Sequence, residues 1–259
     1  MERGMRLIVA VVTLCSLTSI VLAQWGVRRG YYDPIPDQPL VGEPREWTFA
    51  RLAYDGARGR SRFAVDYPGA EEHFSQAVER LTRIDVHPEG HVVSPNSDDL
   101  FDYPWLYAVE VGHWSFSEDQ AARMREYLLR GGFLMVDDFH GEYEWLVFME
   151  GMRTIFPDRW VEDVPADDPV YSLPYEIGER LQVPGPGYMT SGMVYERTDG
   201  VTPHWRGIRD GNGRWMVMIS HNIDYGEGWE QADNPYYPEP FTGQAYEVAV
   251  NYLIYGMTH

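Results

Sequence analysis

Apolar positions in this chain follow two rhythms from about residue 47 onward: short unbroken runs, and stretches that repeat every third or fourth residue. Unbroken runs bounded by glycine read as strands buried on both faces, and the longer-period stretches as helices with one apolar side. Strands are expected at 47–54, 105–111, 132–136 and 214–220, with a short strand or hairpin at 86–94 around Pro88-Glu89-Gly90. A helix from about Gly69 places Phe74, Val78 and Leu81 on one face. Ser117-Glu-Asp-Gln120 has the form of a capping box, opening a helix that buries Ala121, Met124 and Leu128, carries Arg130 at its end and stops at Gly131. A further helix at 142–156 turns Trp145, Phe148, Met149 and Met152 inward and ends before Pro157, and a last one runs from a Thr242 cap to Gly256. Between them, 158–203 is broken by prolines, with short strands expected near Trp160 and at Met193–Arg197. Asp210-Gly-Asn-Gly213 is a turn, and 221–240 a polar, aromatic loop.

Strands alternating with helices define an α/β fold, a mostly parallel sheet flanked by helices. The domain is expected to span 47–259 without repeats. Residues 24–46, rich in proline, glycine and arginine, read as a lead-in segment. Ahead of them Met1–Arg6 is basic, Leu7–Leu22 almost wholly apolar, and Val21-Leu22-Ala23 precedes Gln24. This is the pattern of a signal peptide over 1–23; the alternative is a retained anchor, for which the apolar run is short. An exported protein, periplasmic or secreted, with no stable membrane span after cleavage is the expectation.

Composition then removes several chemistries. Cys15, inside the leader, is the only cysteine, and all 21 basic residues are arginine. A cysteine nucleophile, a structural disulfide, a P-loop lysine and a Schiff-base lysine are therefore excluded from the expected domain. The net charge of −19 opposes nucleic acid and anionic lipid as partners. Small molecules such as carbohydrates, together with cations and peptides, remain open.

The candidate chemistry lies where strands end. If the sheet is parallel, Asp55, His113, the Asp137-Asp138-x-His140 run and His221-Asn222-x-Asp224 all fall on its carboxyl edge, where ligands of open α/β sheets bind. Asp137, Asp138 and His140 are the catalytic candidates, and Asp55, His113, His221, Asn222 and Asp224 the ligand-binding ones. Carboxylates beside imidazoles suit a divalent cation, or a pair of carboxyls with separated pKa values as in glycosidases. The competing reading is that Asp137 and Asp138 cap the next helix, and since neighbours on a strand face opposite ways, at least one of them should serve structure. Trp229, Tyr236, Tyr237 and Phe241 lie near Glu227, Glu230 and Asp233 and could stack on sugar rings, although packing of the long loop is the more frequent explanation. Arg58, Arg60 and Arg62 could clamp an anion or simply be solvated.

Several motifs, Phe49-Ala-Arg-Leu-x-Tyr-Asp55, Asp66-Tyr-Pro-Gly69, Phe101-Asp-Tyr-Pro104, the run Leu128–Phe139, Phe156-Pro-Asp158 and the ending Asn251–His259, resemble a bacterial family of exported proteins known only as a domain of unknown function. The same domain resembles the C-terminal part of some larger bacterial membrane proteins. The resemblance implies a flavodoxin-like, class I glutamine-amidotransferase-like fold, with no activity or cofactor attached. Amidotransferases of that class use a cysteine nucleophile, which this domain lacks. Three functions stay in view: a small-ligand or carbohydrate-binding domain, a carboxylate- and histidine-dependent hydrolase with or without a metal, and a protein-interaction domain of the cell envelope.

Overall fold

A computed structural model describes residues 43–259. The expected signal peptide at 1–23, and the lead-in up to residue 42, lie outside the described residues. Around one sheet the described chain runs β1 (Ala50–Leu52), β2 (Asp55–Gly56), α1 (Gly69–Leu81), β3 (His91–Val93), β4 (Trp105–Val109), β5 (Trp114–Ser115), α2 (Glu118–Leu129), β6 (Phe133–Phe139) and α3 (Gly141–Ile155). It continues through β7 (Glu162–Asp163), α4 (Tyr188–Ser191), β8 (His204–Arg209), β9 (Trp215–His221), α5 (Tyr225–Glu230) and α6 (Glu239–Thr258).

The main sheet has the order β3-β1-β4-β6-β9-β8-β7, and β2 pairs with β5 in a separate two-stranded ribbon. From β3 to β9 every pairing is parallel, while β8 and β7 join antiparallel. Ranked by chain order, the five parallel strands lie 2-1-3-4-5, the flavodoxin-like arrangement.

Side-chain alternation sorts the core onto the two faces. Trp105, Tyr107, Phe133 and Met135 point to the face covered by α1, α5 and α6, packing with Phe74, Trp229 and Val248. Leu106, Ala108, Leu134 and Val136 point the other way, onto Met124 and Leu128 of α2 and Phe148 and Met152 of α3. Both faces being covered explains why these strands read as continuous apolar runs. The capping box at α2 forms as the sequence requires, with Gln120 N donating to Ser117 Oγ (3.2 Å) and Ser117 N to Gln120 Oε1 (2.9 Å).

Several local expectations are revised. Of the two options at 86–94 the short strand forms, as β3 at His91–Val93 parallel to β1, and the hairpin does not. Leu81 is half exposed, since α1 ends there beyond its packed face. No strand forms at Met193–Arg197, which follows α4 as loop, and near Trp160 only the two-residue β7 appears. The final helix begins at Glu239 behind Pro238, so Thr242 lies inside it. The antiparallel strand β8, paired to β9 across the Asp210–Gly213 turn and to β7 on its other side, has no apolar run to announce it.

One buried ion pair ties the sheet to the loop that matters for the site. Arg51, on β1, is fully buried and pairs with Glu71 of α1, which is also buried. Its Nη1 donates to Phe63 O (2.9 Å) and Val65 O (2.8 Å), and the guanidinium lies 5.1 Å from the Tyr107 ring centroid. Removing one partner of such a pair strands the other charge in a dry interior. Arg51→Ala is expected to cost about 3–5 kcal/mol of stability in denaturant titration. A loss under about 1 kcal/mol would show that Glu71 and the two carbonyls find other partners.

Candidate functional site

The site starts from an irregularity in β6. Val136 pairs with Ile219 and Phe139 with His221, so three steps on β6 match two on β9, and β6 holds one residue too many. The surplus falls at Asp138, whose φ is 50°, a left-handed value costly for a residue with a side chain. This bulge lets Phe139 keep the face of Leu134 and Val136, where it stacks 4.8 Å from His221 and 5.0 Å from Phe148. Asp138 is thereby released from strict alternation and stands at the carboxyl edge.

Asp137, one residue earlier, faces α5 and is fully buried. Its Oδ2 accepts from Tyr225 N (2.7 Å), Gly226 N (3.0 Å) and the Tyr107 hydroxyl (3.3 Å). It holds the N-terminus of α5 in place, the capping role that adjacent aspartates allow for one member of the pair. Burial raises its pKa to about 7, against the lowering effect of those amides.

Around Asp138 the fold collects acids from distant segments. Asp66 arrives on the loop whose carbonyls Arg51 holds, with φ of 63°. Asp224 follows β9 and caps α5, its Oδ1 accepting from Glu227 N (2.7 Å). Glu227 and Glu230 come from α5 itself. Oxygens of Asp66, Asp138 and Asp224 lie within 4.8 Å of one another, as do those of Asp66, Glu227 and Glu230. Asp138, His140 and Glu196 make a third such group, in which His140 Nε2 is 3.0 Å from Asp138 Oδ1 and 3.9 Å from Glu196 Oε2.

Little positive charge answers this cluster. Among the described residues no arginine forms an ion pair with Asp66, Asp138, Asp224, Glu227 or Glu230, while Arg62 is engaged by Glu110 (2.9 Å) and Arg197 by Glu144. Burial, then mutual repulsion, holds the pKa values of Asp66, Asp138 and Asp224 well above the ordinary carboxylate range, and Glu227 rises to about 9. Glu227 is 2% exposed and its Oε1 has no hydrogen-bond partner; Asp66 Oδ2 is enclosed and equally unpartnered. Among the described residues the four non-glycine residues with positive φ, Asp66, Glu110, Asp138 and Asn222, all lie on this edge, where strained backbone is commonly a mark of function.

The other residues singled out from sequence are distributed unevenly. His140 joins the cluster. Asp55 is exposed on β2 and accepts from Gln120 Nε2 (2.9 Å), apart from the acid groups. His113 forms a neighbouring group with Glu110 and Glu144, its Nδ1 3.3 Å from Glu110 Oε2. His221 donates from Nε2 to Gly141 O (3.1 Å) and lies between Phe139, Trp145 and His204; burial lowers its pKa to about 4, so it is neutral at ordinary pH. Asn222 bridges Gly141 N (2.8 Å) and Thr202 O (2.7 Å), fastening the loop to α3. Sequence reasoning missed Asp66, Glu110, Glu144 and Glu196 as site residues, and took Glu227 and Glu230 only as acids near aromatics. Asp66 stood in the quoted Asp66-Tyr-Pro-Gly69 motif, the one signal that could have found it. The aromatic neighbours divide: Trp229 and Tyr237 are packed inside, and Tyr236 is exposed.

Beside the cluster a cleft of about 330 Å³ is bordered by Tyr188, Thr190, Met193, Tyr195 and Glu196. Glu196 faces both. No helix among the described residues is long and apolar enough to cross a membrane.

A mostly parallel α/β sheet with buried acids at its carboxyl edge is the class of protein that fold and site define. The chain belongs to the family described as Domain of unknown function (DUF4159), whose model matches residues 48–257. No curated protein matches it.

In protein freed of divalent cations, the shifted carboxyls give stability a definite pH dependence. A group whose folded pKa is raised contributes fully below its unfolded value, about 4, and loses that contribution as pH rises through the folded value. For Asp137 and Glu227 the loss runs through about 7 and about 9. The melting temperature of chelator-treated protein should therefore fall between about pH 5 and pH 9, by roughly 2–4 °C for each kcal/mol lost, and Glu227→Gln should reduce the fall. A melting temperature that rises over this range would contradict the assignment.

Proposed function

We propose that this is an exported ligand-binding domain whose site, at the carboxyl edge of the sheet, takes a neutral, hydroxyl-rich molecule of the carbohydrate class. The observation carrying this reading is Glu196, which stands between the buried acids and a cleft walled by Tyr188 and Tyr195. Carboxylates accept from sugar hydroxyls and aromatic rings cover the apolar faces of the sugar ring, while the surrounding negative charge disfavours phosphorylated or sulfated analogues. The flavodoxin-like strand order accords with a glutamine-amidotransferase-like ancestry, although cysteine-dependent glutaminase chemistry has no nucleophile in residues 43–259.

A hydrolase is the second reading, and the Asp138–His140 contact favours it. A carboxyl kept protonated near neutral pH by burial can donate a proton while an ionised neighbour takes one. In that case Asp138→Asn abolishes turnover of a glycoside yet leaves its binding intact.

Calorimetric titration with neutral mono- and oligosaccharides tests the first reading. Saturable binding is expected, weakened about tenfold or more, ~1.4 kcal/mol, by Tyr195→Ala and by Glu196→Gln. Glu196 is exposed and Tyr195 only half-buried, so the melting temperature should change little. Binding of anionic sugars in preference to neutral ones, or no saturable heat from any saccharide, would contradict it.

A further inference from the structure

We infer that Asp66, Asp138, Asp224, Glu227 and Glu230 together bind a hard divalent cation, calcium being the ion their chemistry fits best. The inference deepens the reading of the carboxyl edge as the ligand site, and it names an occupant for the buried part of that site.

Geometry comes first. A calcium ion holds oxygens at about 2.3–2.6 Å, so two oxygens on the same ion are at most about 5 Å apart. Each of the two acid groups sharing Asp66 has its oxygens within 4.8 Å of one another, inside that limit. The donors are all carboxylate oxygens from three separated segments, the loop before α1, the end of β6 and the β9–α5 junction with α5. Such a set suits calcium, and manganese or magnesium less well; zinc prefers imidazole and thiolate. The one nearby imidazole, His140, is turned to Asp138.

The second observation is independent of proximity. Glu227 is almost wholly buried, yet its Oε1 meets no donor, and the enclosed Oδ2 of Asp66 in the same group meets none either. Buried carboxylate oxygens without donors are costly, and a cation satisfies several of them at once. Arg51, the buried arginine on the loop side, pairs with Glu71 and donates to the carbonyls of Phe63 and Val65; its Nη2 has no hydrogen-bond partner, and its charge acts on Asp66 without an ion pair. The cluster thus has the donors for an ion and no arginine paired to it among the described residues.

The test uses the full chain, treated with chelator, desalted and titrated with calcium chloride at constant ionic strength. Magnesium, manganese and zinc chlorides run in parallel. One calcium per chain is expected, with affinity in the micromolar to millimolar range. Asp66→Asn and Glu227→Gln should each weaken it at least about tenfold, while Glu126→Gln, at an exposed position on α2, leaves it unchanged. Absence of saturable binding of any of the four ions would overturn the inference, as would equal binding by all three variants, which would reduce the effect to diffuse attraction by the acidic surface. Should the cluster variants fail to fold, terbium luminescence of the unaltered protein decides. One terbium per chain displaced by calcium supports the site; emission that does not saturate or does not respond to calcium refutes it. A protein that binds calcium but no saccharide keeps this inference and loses the carbohydrate reading, and the reverse result separates them the other way.

Discussion

One surplus residue in the central strand governs this structure. The β6 strand must seat Leu134, Val136 and Phe139 on the same face against α2 and α3, and regular alternation would place Asp138 there instead. The bulge at Asp138 resolves the conflict at the expense of a left-handed backbone. Its result is that two adjacent aspartates do different work. Asp137 stays in the ladder's alternation and holds α5; Asp138 is delivered to the edge where Asp66, Asp224 and α5's glutamates meet it.

Charge is partitioned with the same economy. Arg51 supports the Asp66 loop from inside the sheet, Arg62 and Arg197 neutralise Glu110 and Glu144 at the flank, and Asp199 accepts from Glu142 N at the start of α3. None of these forms an ion pair with the central acids, although the charge of Arg51 tempers Asp66. A compact set of carboxyls is left to settle its own repulsion, by keeping protons or by sharing a cation, and both outcomes follow from burial rather than from any single residue.

Much of the framework was legible because its signals are local. The runs at 105–111 and 132–136 announced strands buried on both faces, and Ser117 with Gln120 announced a helix start that forms with both reciprocal hydrogen bonds. The antiparallel edge was illegible: β8 reads His204-Trp-Arg-Gly-Ile-Arg209, polar and half-buried, and only the Asp210–Gly213 turn hinted at a hairpin. At the site, parallel strands do bring separate strand ends to one edge, as expected from Asp138, His140 and Asp224. Which side chains then meet depends on parity and on loops. His221 shares the parity of Val217 and Ile219 and goes to the α3 face with Phe139, while Asp66 comes from a loop and Glu227 from a short helix inside a stretch that has no periodic pattern.

The claim on which the rest depends is that these buried carboxyls behave as one coupled acid unit. Carbon-detected NMR titration of the side-chain carboxyls in cation-free protein measures this directly, with resonances assigned through Asp66, Asp138, Asp224 and Glu227 substitutions. The account predicts that carboxyls of this cluster keep their protons well above the ordinary range, Glu227 up to about pH 9, and that replacing one lowers the midpoints of the others. Four independent titrations near the usual carboxylate value would contradict it.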